Sequence, residues 1–217
     1  MFVVFSYSVC ILCVFGKKPN GNTNKCIAVF SCPTKIRTWT NRFRDWYATI
    51  TPWDSFGLQN YINFSNCKSR DAVVVARELL GKTLVRFHED GTSCRYRITA
   101  TEAYLGGEDL ACHASKGRTL RTEVMFLRGG KVYVYLIYGM YWMLNIVTGE
   151  ENHPQAVLIC GLDNVKGSGR VGKLLRIDKS FYGEDLTRST RIWLENSETY
   201  TNYITKPRVG VDYAGEC

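Results

Sequence analysis

The sequence predicts an α+β fold: a single domain of mainly antiparallel β-sheet with flanking helices, behind an unpatterned N-terminal extension. Three observations carry this. Segments that read as strands outnumber those that read as helices from about Tyr61 onward. Their connections are short and turn-like, so strands adjacent in sequence pair as hairpins. The chain has 217 residues, 45% of them apolar, an ordinary globular composition that supplies one core.

Taken in order, residues 1–16 (MFVVFSYSVCILCVFG) are apolar. A membrane span needs about 20 apolar residues, and neither a basic start nor a small-residue cleavage site is clear. Residues 17–60 alternate polar, basic and aromatic stretches, as in KIRTWTNRFRDWYATITPW, with no sustained period or repeat. Residues 1–60 read as a disordered or spurious extension rather than a basic-aromatic nucleic-acid arm, and residues 61–217 as the domain, shortened near 163–166 and truncated at its C-terminus. SRDAVVVARELLGK predicts a helix over Asp71–Leu80, with Ser69 or Asp71 as N-cap and Gly81 just past the end. KTLVRFHEDGTSCRYRITATEAYL reads as strand, turn at Asp90–Gly91, strand. Residues 106–130 read as a loop with one helical turn. KVYVYLIY and YWMLNIVTG are strands joined near Gly139, and PQAVLICGL is a third. KGSGRVGKLLRIDKSF is a Gly-rich turn entering a short helix. TRIWLEN and KPRVGVDYA are late strands.

The formal net charge is +8, which points weakly to an acidic partner. It is uneven: residues 1–60 hold 7 Lys+Arg against 2 Asp+Glu, and the remainder 21 against 18. The nine cysteines are scattered; Cys10 and Cys13 have C-x-x-C spacing but sit in an apolar run with no matching pair. Reduced thiols are expected rather than a zinc or redox site.

The densest chemical cluster is TEAYLGGEDLACHASKGRTLR, residues 101–121. Glu102 and Tyr104 are two apart at a strand end and so share a face. His113 follows across a Gly-Gly loop. Glu108, Asp109 and His113 make a poor metal set, because catalytic zinc sites use two or more His or Cys and the three histidines lie far apart. No G-x-S-x-G elbow and no P-loop is present. Gly169 and Arg170, at the start of the short helix, are candidate phosphate contacts, as are Arg118 and Arg121.

Together the motifs resemble the alkyladenine (3-methyladenine, or methylpurine) DNA glycosylase family. The matching runs are ARELLGKTLV, TEAYLGGEDLACHASKGRTLRTEVMF, YVYLIYGMYWMLNIVTG, AVLI, GSGR with IDKSFYGEDL, and RVGVDYAGE. The resemblance implies a curved sheet and an enzyme of base-excision DNA repair. Such an enzyme flips an alkylated or deaminated purine out of duplex DNA. It then hydrolyses the N-glycosidic bond without metal or other cofactor, leaving an abasic site. It also implies a monomeric, intracellular protein that works with DNA and not at a membrane. By the resemblance Glu102 is the general base that activates water. Tyr104 and Tyr135 sandwich the flipped base, and His113 contacts the base or its sugar-phosphate. Tyr138 wedges into the gap left in the duplex, with Met140 and Tyr141 beside it. Asn145 crowds the exocyclic amine of guanine.

The chain departs from the family pattern at three places. Cys160 follows AVLI where the family has an arginine thought to help hold the water. Only Asp163–Lys166 stand where a longer basic helical segment is usual, and the chain stops at GEC. These departures keep two alternatives in view: a catalytically impaired homologue that binds damaged DNA, and a non-functional truncated copy.

Overall fold

The computed structural model describes residues 10–13, 70–198, 200–208 and 210–211. The basic-aromatic stretch of the extension, Ser69 and the last six residues lie outside them. In chain order the elements are β1 (Cys10–Cys13), α1 (Ala72–Leu79), β2 (Thr83–Phe87) and β3 (Ser93–Tyr104). Two 3-10 turns follow, His113–Lys116 and Glu123–Phe126, where the sequence suggests one helical turn. Then come β4 (Val132–Ile137), β5 (Tyr141–Val147), β6 (Ala156–Leu162), β7 (Val165–Lys166), α2 (Ser168–Leu174), a 3-10 turn at Lys179–Phe181, β8 (Ile192–Glu195) and β9 (Tyr203–Lys206).

All strand pairs are antiparallel, and the sheet runs β4-β5-β6-β3-β1-β9, with β2 joining β3 to β8 and β7 folding back on β6. The long β3 holds this together. Its first half pairs with β2 and its second half with β6 and β1. The register against β6 shifts around Ala100, so that Ala100 faces Gly161 and Thr101 faces Ile159, and Cys160 bulges between them. The α+β class with a curled antiparallel sheet is therefore as expected.

Three details differ from the sequence reading. The apolar N-terminal run contributes β1. The segment Asp163–Lys166 makes a tight hairpin, with Asn164 at φ 64 and Val165–Lys166 paired to Leu162 and Gly161. The expected late strand over residues 206–214 is displaced: β9 covers Tyr203–Lys206 and stops before Pro207, which has no N–H to donate to a ladder, while residues 209 and 212–214 lie outside the described residues. The buried stripe of α1 is Ala72, Val75, Ala76 and Leu79, while Val74 is exposed. That stripe has the i, i+3, i+4, i+7 spacing of one helical face. Asp71 is the N-cap, and its carboxylate accepts from the N–H groups of Val73 and Val74 at 2.8 and 3.2 Å.

Period-2 alternation divides the sheet into two faces. One face is the main core: Ala103 of β3, Val132 and Val134 of β4, Leu144 and Ile146 of β5, and Val157 and Ile159 of β6. These pack under the stripe of α1 and against Val171 and Leu175 of the α2 region. Thr101, on this same face, donates its hydroxyl to the Ala76 carbonyl at 3.0 Å and ties α1 to β3. The residues between them face the other way and build the site.

The α2 helix lies so close to β5 that a Cβ on Gly172 would sit 1.8 Å from the Trp142 carbonyl oxygen. Alanine there would gain up to about 1 kcal/mol of helix propensity, but the backbone clash should cost about 1–3 kcal/mol or more. We expect Gly172→Ala to lower the thermal unfolding midpoint, by roughly 2–4 °C per kcal/mol lost. Gly107→Ala, where nothing lies within 4 Å of the added atom, should leave it within about 0.5 kcal/mol.

Candidate active site

The second face of the sheet opens on a cavity of about 380 Å³, within the roughly 300–1,000 Å³ range of ligand sites. Every strand of the β3-β6-β5-β4 run supplies it. Glu102 and Tyr104 come from β3, Ala156 and Leu158 from β6, Met143 and Asn145 from β5, and Tyr133, Tyr135 and Ile137 from β4. His113, Cys112 and Arg121 close it from the connecting loop. The loop reaches the cavity through Gly106, at φ 91, where a Cβ would lie 2.3 Å from the Pro154 carbonyl oxygen. Only glycine fits that approach.

Glu102 and Tyr104 act as a pair. The Tyr104 phenol donates to the Glu102 carboxylate at 3.0 Å. Burial first, and the adjacent Glu102 charge second, push the Tyr104 phenol far above its usual range, so it stays a donor. Burial likewise raises Tyr135, and it raises Tyr133 to about 12.

Opposite them, the His113 ring meets Tyr135 edge-on, with 4.5 Å between centroids at 76°. Its Nδ1 lies 2.8 Å from the Tyr133 hydroxyl, and which atom donates depends on the tautomer. Burial, then the charges of Arg121 and Lys116, lower the His113 pKa to about 4. The ring is therefore neutral near pH 7. Asn145 is 2% exposed and donates its amide to the Tyr133 carbonyl at 3.1 Å, which fixes it in the cavity wall.

Tyr138 and Met140 stand out at the tip of the β4–β5 hairpin, 82% and 66% exposed. Tyr138 sits at φ 52 and Gly139 at φ 66, a turn conformation rare for a bulky residue. Tyr138 also borders the cavity. Tyr141 is placed differently from Met140. It is half-buried, and its ring lies against Gly169 of α2, where a Cβ would meet it at 2.9 Å. Gly169 thus serves packing, while Arg170 is exposed. Arg118 lies at the surface, 4.0 Å from Glu123 and over the Phe126 ring. Arg121 lies over the Tyr135 ring at 5.3 Å and lines the cavity, a place its loop position does not reveal.

Asp109, considered above as a metal ligand, is engaged otherwise: it pairs with Arg208 at 2.7 Å. No group of three metal-ligating side chains gathers among the described residues. Cys160 lies in a small apolar cluster with Met143 and Leu158 beneath Tyr104 and Tyr135, its thiol 3.7 Å from the Leu158 carbonyl. Sequence reasoning missed Ser168, Gly210 and Val211 as cavity neighbours. They lie within the GSGR and RVGVDYAGE runs, but only the chain's return in three dimensions brings them to the cavity.

The depressed His113 pKa fixes a sign. Between about pH 4 and 6.5 the folded protein holds His113 neutral while the unfolded chain protonates it. The unfolded state then binds more protons, so this group makes stability rise with pH across the window and fall as pH drops from 6.5 to 4. An NMR titration should place the folded imidazole near 4, and His113→Phe should flatten that part of the stability profile. A midpoint near 6.5 would contradict the described environment.

Residues 66–168 match the family model described as methylpurine-DNA glycosylase. A relative in Legionella pneumophila (strain Paris), provisionally named 3-methyladenine DNA glycosylase, is 49% identical over 156 residues, covering 68% of this chain and 84% of that protein. Proteins with the same provisional name in Psychrobacter cryohalolentis and Methanocella arvoryzae are 38% and 41% identical, over 68% of this chain and 84% and 83% of theirs. These matches do not favour a pure binding module or a non-functional copy. No helix among the described residues is long and apolar enough to cross a membrane. The chain belongs to the methylpurine-DNA glycosylase family, and with it to the DNA-repair hydrolases of the DNA-3-methyladenine glycosylase type.

Proposed function

We propose that this chain excises alkylated or deaminated purines from duplex DNA by flipping them into the cavity and hydrolysing the N-glycosidic bond at Glu102. The observation that carries this reading is the convergence of one carboxylate, three aromatic walls and an exposed hairpin-tip tyrosine on a single cavity. A base inside a duplex is out of reach of any side chain, so it must leave the stack, at a cost of a few kcal/mol. Stacking on aromatic rings returns about 1–3 kcal/mol per base. Tyr104 on one side and Tyr135 with His113 on the other supply those rings. Tyr138, held outward by its turn, fills the gap, with Met140 beside it in the groove.

Cleavage at the anomeric carbon passes through an oxocarbenium-like state that a nearby carboxylate stabilises. Glu102 does this and takes a proton from the attacking water. The Tyr104 phenol orients it. Neutral His113 offers its free ring edge to the base or its sugar-phosphate. Asn145, locked by its bond to the Tyr133 carbonyl, bars guanine by crowding its exocyclic amine. Arg118, Arg121 and Arg170 are assigned to the phosphates, and no step calls on a metal. The protein works as a monomer with DNA.

Wild-type protein should release hypoxanthine or 3-methyladenine from a duplex oligonucleotide. Glu102→Gln should slow release about 10²–10⁴-fold while leaving binding to the lesion duplex intact. Release that survives Glu102→Gln would remove the carboxylate from the mechanism. Tyr138→Ala should weaken lesion binding about 5- to 150-fold, through loss of the roughly 1–3 kcal/mol stack, in a gel-shift or anisotropy titration.

A further inference from the structure

We propose that Arg208 is a positioning residue for excision: its guanidinium backs the Tyr104 ring and, through the Tyr104 phenol, fixes the Glu102 carboxylate. The inference rests on the glycosylase reading above.

Arg208 follows the last strand and is almost wholly buried, its side chain 1% exposed and that of Asp109 6%. Two of its nitrogens donate to the two Asp109 oxygens at 2.7 Å each, and one also donates to the Ala103 carbonyl at 3.3 Å. Ala103 is the residue between Glu102 and Tyr104. The guanidinium carbon lies 4.6 Å from the centre of the Tyr104 ring. Tyr104 borders the cavity and Arg208 does not, so the cation backs the ring from outside the cavity. The ring is thus held between a flat cation and the space a base would occupy, and its hydroxyl reaches Glu102 at 3.0 Å.

Asp109 extends the same hold to the opposite wall. It accepts from the N–H groups of Leu105 and Ala111 at 3.1 and 3.0 Å, which pins the loop running from Tyr104 to His113. One ion pair therefore sets both sides of the cavity. Buried ion pairs are often replaceable by apolar side chains of equal volume without loss, because their desolvation cost rivals their attraction. An apolar replacement would fill the space but give up the bond to the Ala103 carbonyl and the planar cation–ring contact. Lysine keeps the charge and loses the plane.

The test uses the full chain. Arg208→Lys and the paired replacement Asp109→Leu with Arg208→Met are compared with wild type in three measurements: thermal unfolding, binding to a duplex carrying a tetrahydrofuran abasic analogue, and single-turnover release of hypoxanthine. The abasic duplex leaves the base cavity empty, so its binding is blind to the Tyr104 wall. We expect both variants to unfold cooperatively and to bind the abasic duplex within twofold of wild type, while release slows at least tenfold. Release within twofold of wild type in either folded variant overturns the positioning role. If the paired replacement fails to fold, the Arg208→Lys comparison decides by the same split between release and binding. A parallel loss of release and abasic binding would make Arg208 merely structural. No release by wild type would sink the glycosylase reading, and this inference with it.

Discussion

Side chains leave a β-strand alternately to its two faces, and the rest of this structure depends on that constraint. Four antiparallel strands in the order β4-β5-β6-β3 obey it in register. Every second residue is a small or branched apolar group that binds the sheet to α1 and α2. The residues between are the carboxylate, phenols, amide and thioether of the cavity. A one-residue slip of β3 would send Glu102 and Tyr104 into the core and Thr101 and Ala103 into the cavity. Core and chemistry are therefore specified by the same pairing. The Thr101 bond to Ala76 fixes the face on which Glu102 must appear.

This alternation is also why so much was legible in the sequence. In YVYLIYGMYWMLN the tyrosines at 133 and 135 share a face opposite Val132 and Val134, and the structure keeps that division. Gly139 marks the hairpin that carries Tyr138 outward. TEAY places Glu102 and Tyr104 together for the same reason. What could not be read depends on contacts between distant segments. The Asp109–Arg208 pair spans 99 residues, and neither partner carries a local signal of the other. Tyr141 looks like a neighbour of Met140 on the tip but is drawn under α2 because Gly169 leaves room for its ring. The β1 strand lies in an apolar run that the sequence does not mark as part of the sheet, and only its pairing with β3 and β9 defines it.

The electrostatics of the cavity follow from burial rather than from net charge. Phenols removed from water stay protonated, and the imidazole stays neutral. The Glu102 carboxylate thus stands among neutral hydrogen-bonding rings, an environment that suits a flat base and a developing positive charge on its sugar. Cys160 occupies the bulge beneath this group, within an apolar cluster. There it offers shape and no guanidinium.

On the proposed reading, one cavity receives a flipped purine beside Glu102 while Tyr138 takes its place in the duplex. The decisive measurement is a crystal structure of Glu102→Gln bound to duplex DNA containing hypoxanthine. The base should lie between Tyr104 and the Tyr135–His113 pair, with the Tyr138 ring in the gap it leaves. A base still stacked in the duplex, with Tyr138 outside the helix and the cavity empty, would contradict it.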